Sequence, residues 1–115
     1  MRKLTKKLMK ARAFFRRNVC EYLESVGAVA KPCDFAREYI LETPAGRLTI
    51  TVFDNWIACC FADPKAAAAR VSSNPYSGKW NFHYDDDARV LNNGLVIGNF
   101  VLALEGLLTA TANAT

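Results

Sequence analysis

The chain has 115 residues, of which 51% are hydrophobic and 23% charged; this excludes an intrinsically disordered chain, which has too few apolar groups to offset the entropy lost on ordering. The length sustains one apolar core and therefore a single domain, 1–115. The net charge of +4 is unevenly spread, since residues 1–17 carry eight basic and no acidic side chains whereas the remainder is acidic. Such a split is typical of proteins that bind nucleic acid or another acidic surface, although a solvated basic face would look the same.

The first predicted element is an amphipathic helix from about Thr5 to Val26. Its apolar residues recur at intervals of three and four and form a single stripe: Leu4, Leu8, Ala11, Phe15, Val19, Tyr22 and Val26. Gly27 supplies the stop. Because the helix is longer than average, we expect its first two turns to project beyond the body of the protein. The chain is accordingly divided into a basic helix (1–27), a compact core (36–108) and a frayed tail (110–115).

Residues 36–61 predict a three-stranded antiparallel meander with turns at "TPAG" and "DN". A short alanine-rich helix follows, with Asp63 as its N-cap and Pro64 at its first position. Trp80, Phe82 and Tyr84 then alternate with polar residues, which predicts a fourth strand whose aromatic side packs inward.

The "DDD" at 85–87 is a solvated turn or the start of a helical turn, and "NNG" at 92–94 is a tight turn or a helix C-cap. Helical spacing of apolar residues from about Leu95 predicts a final helix that lies across the sheet. The expected fold is α+β: a mainly antiparallel four-stranded sheet covered by helices, in the order α-β-β-β-α-β-α.

The side chains with catalytic or metal-binding potential are few. The cysteines at 20, 33, 59 and 60 form no C-x-x-C pair, and His83 is the only histidine. His83 could act as a general base for Cys59 or Cys60, but thiols in the middle of a strand are usually buried and inert. We therefore expect no metal, no cofactor and no enzymatic activity. The longest apolar run is too short to span a bilayer and contains Glu105, so we expect no membrane span. No secretory h-region follows the basic start, so we expect a cytoplasmic protein with reduced thiols.

The basic helix is the best candidate for a binding surface. Its predicted partner-binding residues supply charge and one aromatic anchor: Lys3, Lys6, Lys7, Lys10, Arg16 and Arg17, with Phe14 among them. Lys79, Asn81 and His83 form a second polar row that could help to stack single-stranded bases, although aromatic rings nearby are more often core. Alternatives are a homodimer or complex subunit that pairs through the long helix, and attachment to a membrane surface.

Three stretches together resemble a group of small uncharacterised proteins from proteobacterial genomes, phages and plasmids: "ETPAGRLTITVFDNWIACCFADPKAAAA", "NPYSGKWNFHY" and "FVLALEGLL". The resemblance covers about Glu42 to Leu108 and carries no activity that can be transferred. It implies an accessory gene on mobile DNA. The expected function is therefore a small binding protein, of phage type, whose basic helix engages nucleic acid or inhibits a nucleic-acid-handling complex of anti-phage defence.

Overall fold

The computed structural model describes residues 5–31, 37–70 and 79–113, with the backbone alone at 68–70, 95–96 and 110–113. These residues form an antiparallel sheet of five strands in the order β1-β2-β3-β4-β5, together with four helices. The elements are α1 Lys6–Ser25, β1 Val29–Lys31, β2 Arg37–Thr43, β3 Gly46–Val52, β4 Trp56–Phe61, α2 Pro64–Arg70, β5 Lys79–His83, α3 Ala88–Leu91 and α4 Gly94–Asn113. The protein is therefore α+β, as predicted.

The prediction of four strands was wrong, because β1 adds a fifth strand at one edge of the sheet. It pairs with β2 in antiparallel register, Val29 opposite Ile40 and Lys31 opposite Glu38. All three of its residues are exposed, so it lacks the alternation of buried and exposed side chains that reveals a strand in a sequence. The short helix α3 is also additional; Asp87 caps it by accepting a hydrogen bond from the Arg89 amide at 2.8 Å.

Helix α1 is closed at both ends by local hydrogen bonds. At its start, the Thr5 hydroxyl accepts from the Leu8 amide at 3.1 Å. At its end, Gly27 adopts a φ of +91°, while the Ala28 amide donates to the Leu23 carbonyl at 3.0 Å and the Gly27 amide to Glu24 at 3.1 Å. This is the Schellman arrangement, which favours glycine because other residues are strained at positive φ.

Replacing Gly27 with alanine should lower the free energy of unfolding by about 1 kcal/mol, because the side chain strains the positive φ. Gly98 is the matched control. It lies inside α4, and a Cβ built there meets no atom within 4 Å, so Gly98→Ala should stabilise the helix by roughly 0.5–1 kcal/mol. Chemical denaturation of both variants measures the two effects, and shifts of the same sign would contradict the assignment of the Gly27 turn.

The core lies between one face of the sheet and the helices. Buried strand residues all belong to this face: Tyr39, Leu41, Leu48, Ile50, Val52, Ile57, Cys59, Phe61 and Trp80. They pack in one cluster with buried residues of α1 and α4, including Phe15 and Phe100. Side chains on the opposite face, such as Thr49, Trp56 and His83, are half-buried or exposed.

Helix α1 is part of this core along almost its whole length. Leu8 is 6% exposed and Ala11, Phe15, Val19 and Leu23 are fully buried. The expectation that the first two turns project beyond the body was therefore wrong from Leu8 onward. The apolar stripe begins in the first turn of α1, and its side chains pack against the core from there. The core cluster therefore includes side chains of α1 as well as those of the predicted compact core (36–108).

Helix α4 is longer than the sequence indicated. It continues to Asn113, so residues 110–113 of the expected frayed tail are helical, in keeping with the high helix propensity of alanine. No helix in the described ranges combines the length and apolar character needed to cross a membrane.

Candidate nucleic-acid interface

Three cations form a line along the solvent side of α1. At 100° per residue, Lys6, Lys10 and Arg17 fall within an arc of about 40°. All three are exposed, and the arc lies opposite the buried stripe centred on Phe15. Lys6 and Arg17 are about 16 Å apart along the axis at 1.5 Å per residue. The helix thus presents a straight row of positive charge to solvent.

Two other arginines of α1 point towards carboxylates of the same chain. Arg12 donates through Nε to Asp86 at 2.9 Å and makes a second hydrogen bond to the other oxygen of that carboxylate. Arg12 also lies 3.5 Å from Asp54, and Arg16 pairs with Asp54 as well. The hydrogen bond with Asp86 is the main reason why the pKa of Arg12 is raised. These contacts fasten α1 to the β3–β4 turn and to the segment before α3.

The ion pairs sort the predicted binding residues into two groups. Arg16 is held by Asp54, so its charge is partly neutralised by this chain. Lys6, Lys7, Lys10 and Arg17 form no ion pair with any other described residue. The remaining predicted cation, Lys3, lies outside the described residues.

Phe14 contacts Arg17 of the same helix, so its ring is not a fully exposed aromatic anchor for a partner. Its ring is half-buried and packs against the core. The guanidinium carbon of Arg17 lies over the ring, 5.9 Å from the centroid, within the range of a cation–π interaction. Phe14 therefore restricts where Arg17 can point.

A groove beside the cation row was not foreseen from the sequence. It lies between α1 and β2, has a volume of about 310 Å³, and is lined by Ala13, Arg16, Arg17, Cys20, Glu21, Glu24, Arg37 and Tyr39. The Tyr39 hydroxyl donates to Glu24 Oε1 at 3.2 Å. Burial raises the pKa of the half-buried Cys20 thiol, which keeps it uncharged at neutral pH. From the sequence, only the arginine and glutamate content of α1 could have indicated this groove, because its second wall comes from another element, β2.

Neither the protein families, the curated proteins nor the solved structures contain a match to this chain. A function must therefore be inferred from its own side chains.

The open face of the sheet carries the second polar row. Lys79, Asn81 and His83 share this face with Trp56, whose indole N–H donates to Asn81 Oδ1 at 3.1 Å. Trp56 is stacked between Phe53 and His83, with ring centroids 4.4 and 4.9 Å away. The rings of Phe53, Trp56 and His83 therefore form one stack, and both faces of the Trp56 indole are occupied.

The geometry does not bring His83 to Cys59 or Cys60. His83 lies opposite Trp56 and Cys60 lies opposite Lys79, so the two are separated by four positions of the ladder, about 13 Å. Cys59 points into the core, where burial raises its pKa. Among the described residues, no group of three histidine, cysteine or carboxylate side chains is placed to hold a metal ion.

Proposed function

We propose that this protein binds the phosphate backbone of nucleic acid through the exposed side of α1, using Lys6, Lys7, Lys10 and Arg17. The observation that carries the proposal is that these cations stand on one side of a docked helix without a described carboxylate to neutralise them. Cations that replace the counterions condensed on nucleic acid release those ions, and this release drives binding. Arginine adds paired hydrogen bonds to phosphate oxygens.

The docking of α1 favours this function because it fixes the row of cations before any partner arrives. The buried stripe and the pairs of Arg12 and Arg16 with Asp86 and Asp54 hold the helix in place. A surface that is already ordered loses less entropy on binding. The row from Lys6 to Arg17 spans about 16 Å, which equals the axial rise of roughly five base pairs of B-form DNA.

Two alternatives from the sequence fit less well. A site that holds a phosphate backbone is itself positively charged, so a cationic helix would be repelled from it; inhibition of a nucleic-acid-handling complex would instead follow from covering the nucleic acid. Pairing of two copies through the apolar stripe of α1 would need residues such as Phe15 and Val19, which are buried in this chain's own core.

The experiment is a salt titration of binding to fluorescent oligonucleotides, single-stranded and duplex, between about 50 and 200 mM salt. The variant Lys6→Ala/Lys10→Ala should bind several-fold more weakly. Its slope of log affinity against log salt should be shallower by between one and two, since each lost phosphate contact removes about 0.7–0.9. Circular dichroism checks that the fold is kept.

The matched control removes two lysines elsewhere. Lys65 lies in α2 and Lys31 lies in the edge strand β1, so Lys31→Ala/Lys65→Ala has the same net charge as the test variant. It should retain the wild-type slope. Equal losses in the two variants would show that net charge alone attracts the nucleic acid, and a wild-type affinity that does not depend on salt would refute the proposal.

A further inference from the structure

The groove between α1 and β2 has opposite charges at its two ends. Arg17 and Arg16 lie about one to two turns before Glu21 and Glu24 on α1. Arg37 belongs to the arginine end, because it lies opposite Val52, two residues before the Asp54 that pairs with Arg16. Tyr39 belongs to the glutamate end, because its hydroxyl bonds Glu24. A simple anion would be attracted to one end and repelled from the other.

We infer that this groove binds one guanine nucleotide of a single-stranded nucleic acid, with the phosphate at Arg17 and Arg37 and the pairing edge of the base on Glu24. The inference rests on the proposed function, because Arg17 belongs both to the cation row of α1 and to the groove. A nucleic-acid strand whose phosphates bind along the cation row therefore reaches the groove at Arg17. The volume of about 310 Å³ is at the small end of ligand pockets and suits a single nucleotide.

Guanine is the base that matches a fixed carboxylate. Its pairing edge presents a ring N–H beside an exocyclic amino group, two adjacent donors that one carboxylate can accept in parallel. Adenine and cytosine place a single amino group next to an acceptor nitrogen, and the pyrimidine thymine flanks its one N–H with two carbonyl oxygens, which a carboxylate repels. Glu24 is oriented by the Tyr39 hydroxyl at 3.2 Å and retains lone pairs for the base.

The separation of the two ends agrees with this ligand. Arg17 and Glu24 are seven residues apart, about 10 Å along the helix axis, which is close to the reach from phosphate to pairing edge in an extended nucleotide. Between them lies Cys20, whose pKa is raised by burial, so this thiol adds no negative charge beside the ligand at neutral pH. The strand must be single, because pairing in a duplex occupies the edge of guanine that Glu24 would contact.

The test measures binding of the full chain to oligothymidines of about ten nucleotides that carry guanine, adenine, cytosine or thymine at one central position. The wild type should prefer the guanine strand about tenfold, the discrimination expected for one bidentate base contact. Glu24→Gln should abolish this preference and keep the affinity for plain oligothymidine, because glutamine offers one acceptor and one donor. Arg37→Gln should weaken binding of all four strands and keep the preference.

Glu21→Gln is the matched control: it removes a carboxylate from the same groove, three residues from Glu24, and should leave the guanine preference intact. Salt-dependent binding with equal affinity for all four strands would overturn the groove inference alone. Absence of binding to any of these strands would also overturn the groove inference, and absence of binding to duplex DNA as well would overturn the proposed function with it. Free guanosine monophosphate that binds where no strand binds would overturn the assignment to a nucleic acid and identify a free nucleotide as the ligand.

Discussion

Replacing Phe15 with alanine should lower the free energy of unfolding by about 3–5 kcal/mol, the range for removing a buried aromatic side chain. The ring is 0% exposed and packs edge-on against Tyr84, with centroids 5.4 Å apart. Its loss leaves a cavity between α1 and the sheet that neighbouring side chains can fill only in part. Urea denaturation at neutral pH measures the change, and circular dichroism reports whether α1 still forms.

Phe14→Ala is the matched control for this substitution. The two phenylalanines are adjacent on one helix, but Phe14 is only half-buried. Its ring centroid lies 5.9 Å from the guanidinium carbon of Arg17. We expect its removal to cost about 1 kcal/mol or less. If both substitutions cost the same, α1 is not docked as described. A deletion of residues 1–17 would be less informative, because it would remove Phe15 and Ala11 from the core and so confuse binding with folding.

Alkaline pH should destabilise the protein through buried phenols and thiols, of which Tyr84 gives the clearest test. Burial, with a smaller contribution from Cys59, raises the pKa of Tyr84 from 10.0 to about 12. Between these two pKa values, the folded state therefore keeps the phenol proton of Tyr84, whereas the unfolded state has already lost it. The stabilisation is complete below pH 10 and declines as the pH rises through the folded-state pKa, by at most about 1.4 kcal/mol per pH unit.

The variant Tyr84→Phe removes the titrating hydroxyl, which is buried and has no hydrogen-bond partner among the described residues. At neutral pH the substitution should be neutral or stabilising by about 1 kcal/mol, because the hydroxyl is desolvated without compensation. Between the two pKa values its stability should fall less steeply than that of the wild type. Urea titrations over this pH range measure both slopes, and parallel curves would show that the phenol ionises as easily in the folded as in the unfolded state.

Local periodicity explains how much of the fold was predictable. Alternation places Leu48, Ile50 and Val52 on the covered face. It also places Cys59 in the core, whereas Cys60 is exposed, contrary to the burial expected for both thiols. The cap at Asp63 forms as predicted, accepting from the Ala66 amide at 3.1 Å. β1 was missed because an edge strand with three exposed residues is held by backbone pairing, which leaves no pattern of side chains.

The candidate site was predictable only as far as helical spacing determines it. The spacing places Lys6, Lys10 and Arg17 on one side of α1, but it cannot show which cations keep their charge free. Arg16 and Arg12 find Asp54 and Asp86, which are 38 and 74 positions away in the chain. The groove is hidden as well, because Glu24 and Arg37 line it together only once folding has placed α1 beside β2.

The pairing of Arg12 with Asp86 across 74 positions has a consequence for synthesis. At about 5–20 residues per second, the ribosome needs roughly 4–15 s after making Arg12 to reach its partner. Until then the first helix has no finished sheet to cover, and Leu8, Phe15 and Val19 stay accessible on the nascent chain. That interval is when this chain is most exposed to aggregation and most in need of a chaperone.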